Sequence, residues 1–209
     1  MIGIVGGTFD PIHFGHLRPA LELYQDLGLD ELRWIPSGQP PHRDTPGVST
    51  EHRLNMLRLA LQGMQQSVID ECEIRRQGPS YMVDTLRSLR AENADKGLAL
   101  ILGMDAFNGL PTWHCWQELF ELAHIIVCSR PGTERPPANG QLMDVVAGKQ
   151  VMSFSKMKQC THGMIYIHAV TRLSISATRI RRICQQGKSP RFLLPDSVCD
   201  YIEENGLYR

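Results

Sequence analysis

The chain has 209 residues, of which 42% are hydrophobic and 21% charged, and its 22 Lys and Arg balance its 22 Asp and Glu. That length suits one well-buried core, and zero net charge excludes the basic footprint of a nucleic-acid binder. No stretch approaches the ~18 uninterrupted apolar residues of a membrane span, so any phosphate site must arise from local geometry in a water-soluble fold.

In chain order, IGIV at 2–5 reads as a short strand buried on both faces. Residues 16–27 read as a helix stopped by Gly28, with Pro19 expected in its first turn. LRWIP at 32–36 is a second strand, followed by a Pro- and Gly-rich loop. Thr50 is placed as the N-cap of a helix through Leu61, with Leu54, Leu57 and Leu61 on its inner stripe. VIDECEI at 68–74 alternates like a strand, and Ser80 is placed as the N-cap of a helix over 80–93. LALIL at 98–102 and HIIVC at 124–128 are buried strands flanking a helical WQELFELA. After an irregular stretch at 130–163, which holds a short helix around NGQLMDVVAG, MIYIH at 164–168 is the last strand. Ser176 caps a helix ended by Gly187, and Pro195-Asp196 opens a final helix through Asn205. Strands alternating with helices at this spacing predict a doubly wound, mostly parallel α/β sheet in three layers. One domain over 1–209 is expected, with a helical part from about 170 onward.

The string GGTFDPIHFGH at 6–16 stands directly after the first strand. Gly6 and Gly7 permit a tight turn and let a ligand approach the backbone. The helix that follows offers unpaired N–H groups and a positive dipole end, which favour an anion. His13 and His16, three residues apart, face the same side of its first turn. The spacing matches neither GxGxxG nor a Walker A loop.

GGTFDPIHFGH resembles the first signature of the HxGH nucleotidyltransferases, and most closely that of the nicotinate-mononucleotide adenylyltransferase family. PSGQPPHR (36–43), SYMVDTL (80–86), GMDAF (103–107), LPTW (110–113), SRPG (129–132), ISATRIR (175–181) and LLPDSVCDYI (193–202) resemble that family's further blocks, in its order. The resemblance implies a Rossmann-like nucleotidyltransferase fold. It also implies an enzyme of NAD biosynthesis that joins ATP to nicotinate mononucleotide, giving deamido-NAD and pyrophosphate.

By the same resemblance, Gly6, Gly7, Thr8 and Phe9 border the nucleotides, and His13 and His16 contact the ATP phosphates. Ser176, Thr178 and Arg181 supply a second phosphate site, with His13, His16 and Arg181 as the catalytic set. Gly103 and Asp105 belong to the ATP site, and Asp105 suits ribose hydroxyls. His42 and Arg43 would close over the acceptor phosphate, Arg43 standing where the family usually has lysine. Thr8, Phe9, Tyr81, Met82, Thr85, Asp105 and Trp113 would contact the mononucleotide, with Met82 where the family commonly has threonine and Trp113 against the pyridine ring. Trp34 and Trp116 are assigned to the core or surface.

No His, Cys, Asp or Glu spacing suggests a protein-held metal, so Mg²⁺ is expected to enter on ATP's own oxygens. The six cysteines form no CxxC pair, and no charged n-region with an apolar h-region opens the chain. Reduced thiols, no signal peptide and a cytoplasmic location are therefore expected, in a monomer or small homo-oligomer without nucleic-acid or membrane partners. Two alternatives stand beside this reading. One is a related adenylyltransferase preferring nicotinamide mononucleotide. The other is a non-catalytic nucleotide-binding module on the same fold.

Overall fold

The computed structural model describes residues 1–39, 47–129, 140–171 and 173–209. Its elements run β1 (Ile2–Gly7), α1 (Phe14–Leu27), β2 (Glu31–Pro36), α2 (Thr50–Ala60), β3 (Ser67–Ile69), α3 (Cys72–Arg75), α4 (Met82–Glu92), β4 (Leu98–Gly103) and α5 (Met104–Asn108). Then follow α6 (Leu119–Leu122), β5 (His124–Ser129), α7 (Gln141–Lys149), α8 (Phe154–Met157), β6 (Ile165–Ala169), α9 (Ala177–Gln185) and α10 (Asp196–Glu204). The strands form one six-stranded sheet in the order β3-β2-β1-β4-β5-β6, every described pair parallel.

Period-two alternation sends successive strand residues to opposite faces. In β4, Leu98, Leu100 and Leu102 join a core with Val83 and Leu86 of α4, Phe107 of α5 and Leu119 of α6. Ala99 and Ile101 join the opposite core with Leu23 of α1, Met56 and Leu57 of α2, Ile180 of α9 and Val198 of α10. Both faces are therefore covered, which is why the strands are near-continuous apolar runs. Each fully buried Leu or Ile contributes roughly 1.5–3 kcal/mol.

The strand order reverses between β1 and β4, and such a switch point opens a crevice beyond the strands' carboxyl ends. Gly6-Gly7 closes β1 and Gly103 closes β4, so the two glycine-marked strand ends meet there.

Several local expectations are corrected. Pro19 lies well inside α1, because the helix begins at Phe14; only the Gly15 carbonyl loses its i+4 donor, and the helix continues. Ser49, not Thr50, caps α2, accepting the His52 N–H at 3.3 Å. The predicted strand at 68–74 ends at Ile69, because the Asp70 carboxylate accepts the Cys72 N–H at 3.0 Å and turns the chain into α3. Tyr81 occupies the cap of α4 without a side-chain bond, while Ser80 Oγ accepts the N–H groups of Gly38 and Gln39, each at 3.0 Å. At Ser176 the predicted cap is present, with Oγ accepting the Arg179 N–H at 3.2 Å.

Candidate active site

The loop from β1 to α1 is shaped by its own sequence. Phe9 adopts a left-handed φ of 50°, and the Asp10-Pro11 peptide is cis. The Phe9 ring is driven into the core at 2% exposure, with its face tilted against Trp34 at 5.8 Å and the edge of His16 at 5.4 Å. Its side chain packs inward, so the part of Phe9 that borders the cleft is its backbone, next to Thr8. His13 then takes an extended N-cap conformation, and its ring stacks on His16 with centroids 3.8 Å apart.

His13 is 4% exposed. Burial lowers its pKa to about 4, against a weaker upward pull from a backbone hydrogen bond, so the imidazole is neutral at pH 7. Its Nδ1 is buried with no hydrogen-bond partner among the described residues. A neutral imidazole remains a donor through one ring nitrogen. Two stacked rings at this distance also disfavour charging both at once.

Gly15 has a specific steric reason. A Cβ there would lie 2.9 Å from the His13 ring and 3.1 Å from the Ile175 carbonyl oxygen. Ile175 directly precedes the Ser176 cap of α9, so the amino-terminal ends of α1 and α9 abut. Arg181, one turn into α9, donates from Nη1 to the Asp10 carbonyl at 2.7 Å and faces the Asp10 carboxylate at 3.5 Å. Its Nη2 donates to Thr178 Oγ1 at 3.4 Å. Arg179 and Arg182 are exposed. His13, His16, Ser176, Thr178 and Arg181 therefore form one cluster between two helix tips.

A cleft of about 380 Å³ opens beside this cluster at the ends of β1 and β4. Gly6, Gly7, Thr8, Tyr81, Met82, Gly103, Asp105 and Trp113, all singled out in the sequence, line it. Gly6 makes room for Met82, whose Cε would be 2.5 Å from a Cβ at that position. Thr85 is not on the wall. It is fully buried, donating its hydroxyl to Glu73 Oε1 at 2.7 Å, and Glu73 lines the cleft. His42 and Arg43 lie outside the described residues. Trp34 and Trp116 are core residues, at 0% and 8% exposure.

Three contributors escaped the sequence reading. His114 lines the cleft and packs its ring on Tyr81 at 4.5 Å. Glu73 also lines it; the surrounding protein raises its carboxyl pKa by burial, against hydrogen bonds from Thr85 and Ser80 that lower it. Arg53, 1% exposed, donates from Nη1 to the carbonyls of Thr8 at 2.7 Å and Ser37 at 2.8 Å, clamping the two loops that flank the cleft. Its signal was its position: 53, 56, 57 and 60 share one helical face, so an arginine there points inward beside Met56 and Leu57.

Among the described residues, no three His, Cys, Asp or Glu side chains converge as a metal site, and no helix is long and apolar enough to cross a membrane.

A family profile described as cytidylyltransferase-like matches residues 4–183. A probable nicotinate-nucleotide adenylyltransferase of Pseudomonas fluorescens is 49% identical over 209 residues, spanning 100% of this chain and 97% of its own. One of Methylococcus capsulatus is 48% identical over 209 residues, spanning 100% and 99%. Among solved structures, the Plasmodium falciparum nicotinic acid mononucleotide adenylyltransferase complexed with NaAD superposes with a TM-score of 0.73 at 16% identity, over 99% of this chain and 96% of that one, a likeness that speaks for the fold. Matched from end to end by such relatives, and built on the parallel sheet with paired helix tips described above, the chain belongs to the nicotinate-nucleotide adenylyltransferase family of cytidylyltransferase-like proteins.

Proposed function

We infer that the chain transfers the adenylyl group of ATP to nicotinate mononucleotide, forming deamido-NAD and releasing pyrophosphate. The observation that carries this reading is the abutment of the α1 and α9 tips, with Arg181 tied between them. Two positive dipole ends, two histidines and a guanidinium on one spot suit a polyanion.

The acceptor's phosphate oxygen is already anionic. It attacks the α-phosphorus of ATP, the bond to the bridging oxygen breaks, and pyrophosphate departs with the electron pair. No strong general base is needed, so catalysis rests on alignment and on offsetting charge at the leaving group. In this reading His13 and His16 donate to phosphate oxygens from the α1 tip. Ser176, Thr178 and Arg181 do so from the α9 tip. Backbone groups of Gly6, Gly7 and Thr8 let both nucleotides approach β1, and Gly103 and Asp105 face a ribose. Tyr81, Met82 and Trp113 wall the pocket for the pyridine ring. The first N–H groups of α4 suit its carboxylate.

The divalent cation that nucleotidyltransferases of this family generally use is read here as Mg²⁺ entering with ATP as part of the substrate, where it offsets phosphate charge. Residues 1–209 act in this reading as one catalytic unit, in which the part from about 170 onward supplies the second tip.

The test is a coupled assay with ATP and nicotinate mononucleotide, run in parallel with nicotinamide mononucleotide. Deamido-NAD and equimolar pyrophosphate are expected, with the higher kcat/KM for the acid. No dinucleotide at saturating substrates would overturn the reading.

A further inference from the structure

The end of the chain folds back into the site. Gly206 follows α10 with a φ of +60° and reverses the backbone, so Leu207 and Tyr208 return to the interior, each 8% exposed. Tyr208 itself holds a φ of +60°, a conformation unfavourable for a residue with a Cβ. Its hydroxyl donates to Asp10 Oδ1 at 2.7 Å. The other carboxylate oxygen, Oδ2, accepts the Gly47 N–H at 2.7 Å and faces Arg181 Nη1 at 3.5 Å. Burial, and then the bond to Asp10, push the phenol pKa up, so the group stays a donor.

Asp10 is 5% exposed. A carboxylate so buried persists only when its oxygens are hydrogen-bonded. The Tyr208 hydroxyl satisfies the oxygen that faces neither Gly47 nor Arg181, which fixes the rotation of the carboxylate and so the direction from which Oδ2 faces the guanidinium at 3.5 Å, beside the 2.7 Å bond that Nη1 donates to the Asp10 main-chain carbonyl. An arginine has five N–H donors. One held at Nη1 by Asp10 still has others to present to a phosphate.

We propose that Tyr208 and Asp10 are positioning residues for the triphosphate: the phenol orients the Asp10 carboxylate, and the carboxylate seats Arg181 between the two helix tips. This rests on the phosphate role inferred for Arg181. It adds a dependence of triphosphate binding on Tyr208, acting through Asp10 and not through a phosphate contact of its own.

The test combines titration calorimetry with inorganic pyrophosphate and steady-state kinetics, on the full chain and on Tyr208→Phe, Arg181→Lys and the double variant. The hydrogen bond is present with and without ligand, so only part of its worth passes to binding, and about 5- to 10-fold weaker pyrophosphate binding is expected in Tyr208→Phe, with a matching rise in the KM for ATP. The KM for nicotinate mononucleotide should stay within about 2-fold, since neither Asp10 nor Tyr208 lines the cleft at the ends of β1 and β4. In the Arg181→Lys background, the tyrosine substitution should add less than about 2-fold, because coupled residues are non-additive. Equal rises in both KM values, unchanged pyrophosphate binding in a folded Tyr208→Phe protein, or the full effect persisting without Arg181 would each overturn the proposal. Should thermal melts show Tyr208→Phe unfolded, Asp10→Asn must give the same selective loss or the proposal fails. A wild-type protein whose pyrophosphate binding depends on Tyr208 but which makes no dinucleotide would refute the acceptor assignment and leave this inference standing.

Discussion

His13 illustrates how a residue's type and its behaviour separate. A histidine at a helix tip that favours anions suggests a cation, yet burial lowers its pKa to about 4. The unfolded chain protonates this imidazole below its ordinary value of 6.5, whereas the folded one resists until about 4. Stability is therefore full above pH 6.5 and falls as pH drops toward 4, by about 3 kcal/mol from this group. Urea midpoints at pH 7 and pH 4.5 should show that fall in the wild type and a flatter response in His13→Gln. Identical slopes in the two proteins would contradict it. The HxGH spacing was legible in the sequence, whereas the neutral state of His13 was not, because desolvation comes from residues distant in the chain.

Helices and strands were largely legible, and their ends much less so. Ser80 has every property of an N-cap, yet tertiary hydrogen bonds to Gly38 and Gln39 claim its hydroxyl. Asp70 ends a strand that alternation alone extends to residue 74, because one side-chain bond turns the backbone. Gly15 shows the converse, a residue whose identity is set by packing between elements. Alanine there would improve the intrinsic helix propensity of α1 by about 1 kcal/mol. It would also press a methyl group on the His13 ring and the Ile175 carbonyl, splaying the two tips. Gly15→Ala is thus expected to leave the melting temperature within a few degrees of wild type and to lower kcat/KM for ATP by at least about 10-fold, as for loss of a preorganised anion site. Normal ATP kinetics in that variant would show that the tips need not abut.

At the scale of the molecule, the two flanks of the cleft are joined through buried polar groups as well as apolar packing. Arg53 ties Thr8 after β1 to Ser37 after β2, and Thr50 Oγ1 accepts its Nη2 at 3.0 Å. Burial lowers the guanidinium pKa while the nearby Asp10 charge raises it, so each charge offsets the other's desolvation. Arg53→Leu would leave two loop carbonyls without donors and Asp10 without that countercharge. A loss of roughly 3–5 kcal/mol is expected, seen by scanning calorimetry as a fall of about 10 °C in Tm; a shift under about 2 °C would show that water replaces the clamp at no cost. The sequence by itself determined the alternation of buried strands and helices, the glycine-marked loop after β1, and the family, because periodicity and contiguous motifs are local properties of the chain. Only the tertiary structure decided that the tips near residues 16 and 176 meet, that Thr85 and Phe9 turn inward, and that Tyr208 reaches Asp10. Those contacts join positions as much as 198 residues apart, and no local pattern encodes which distant partner a buried polar group finds.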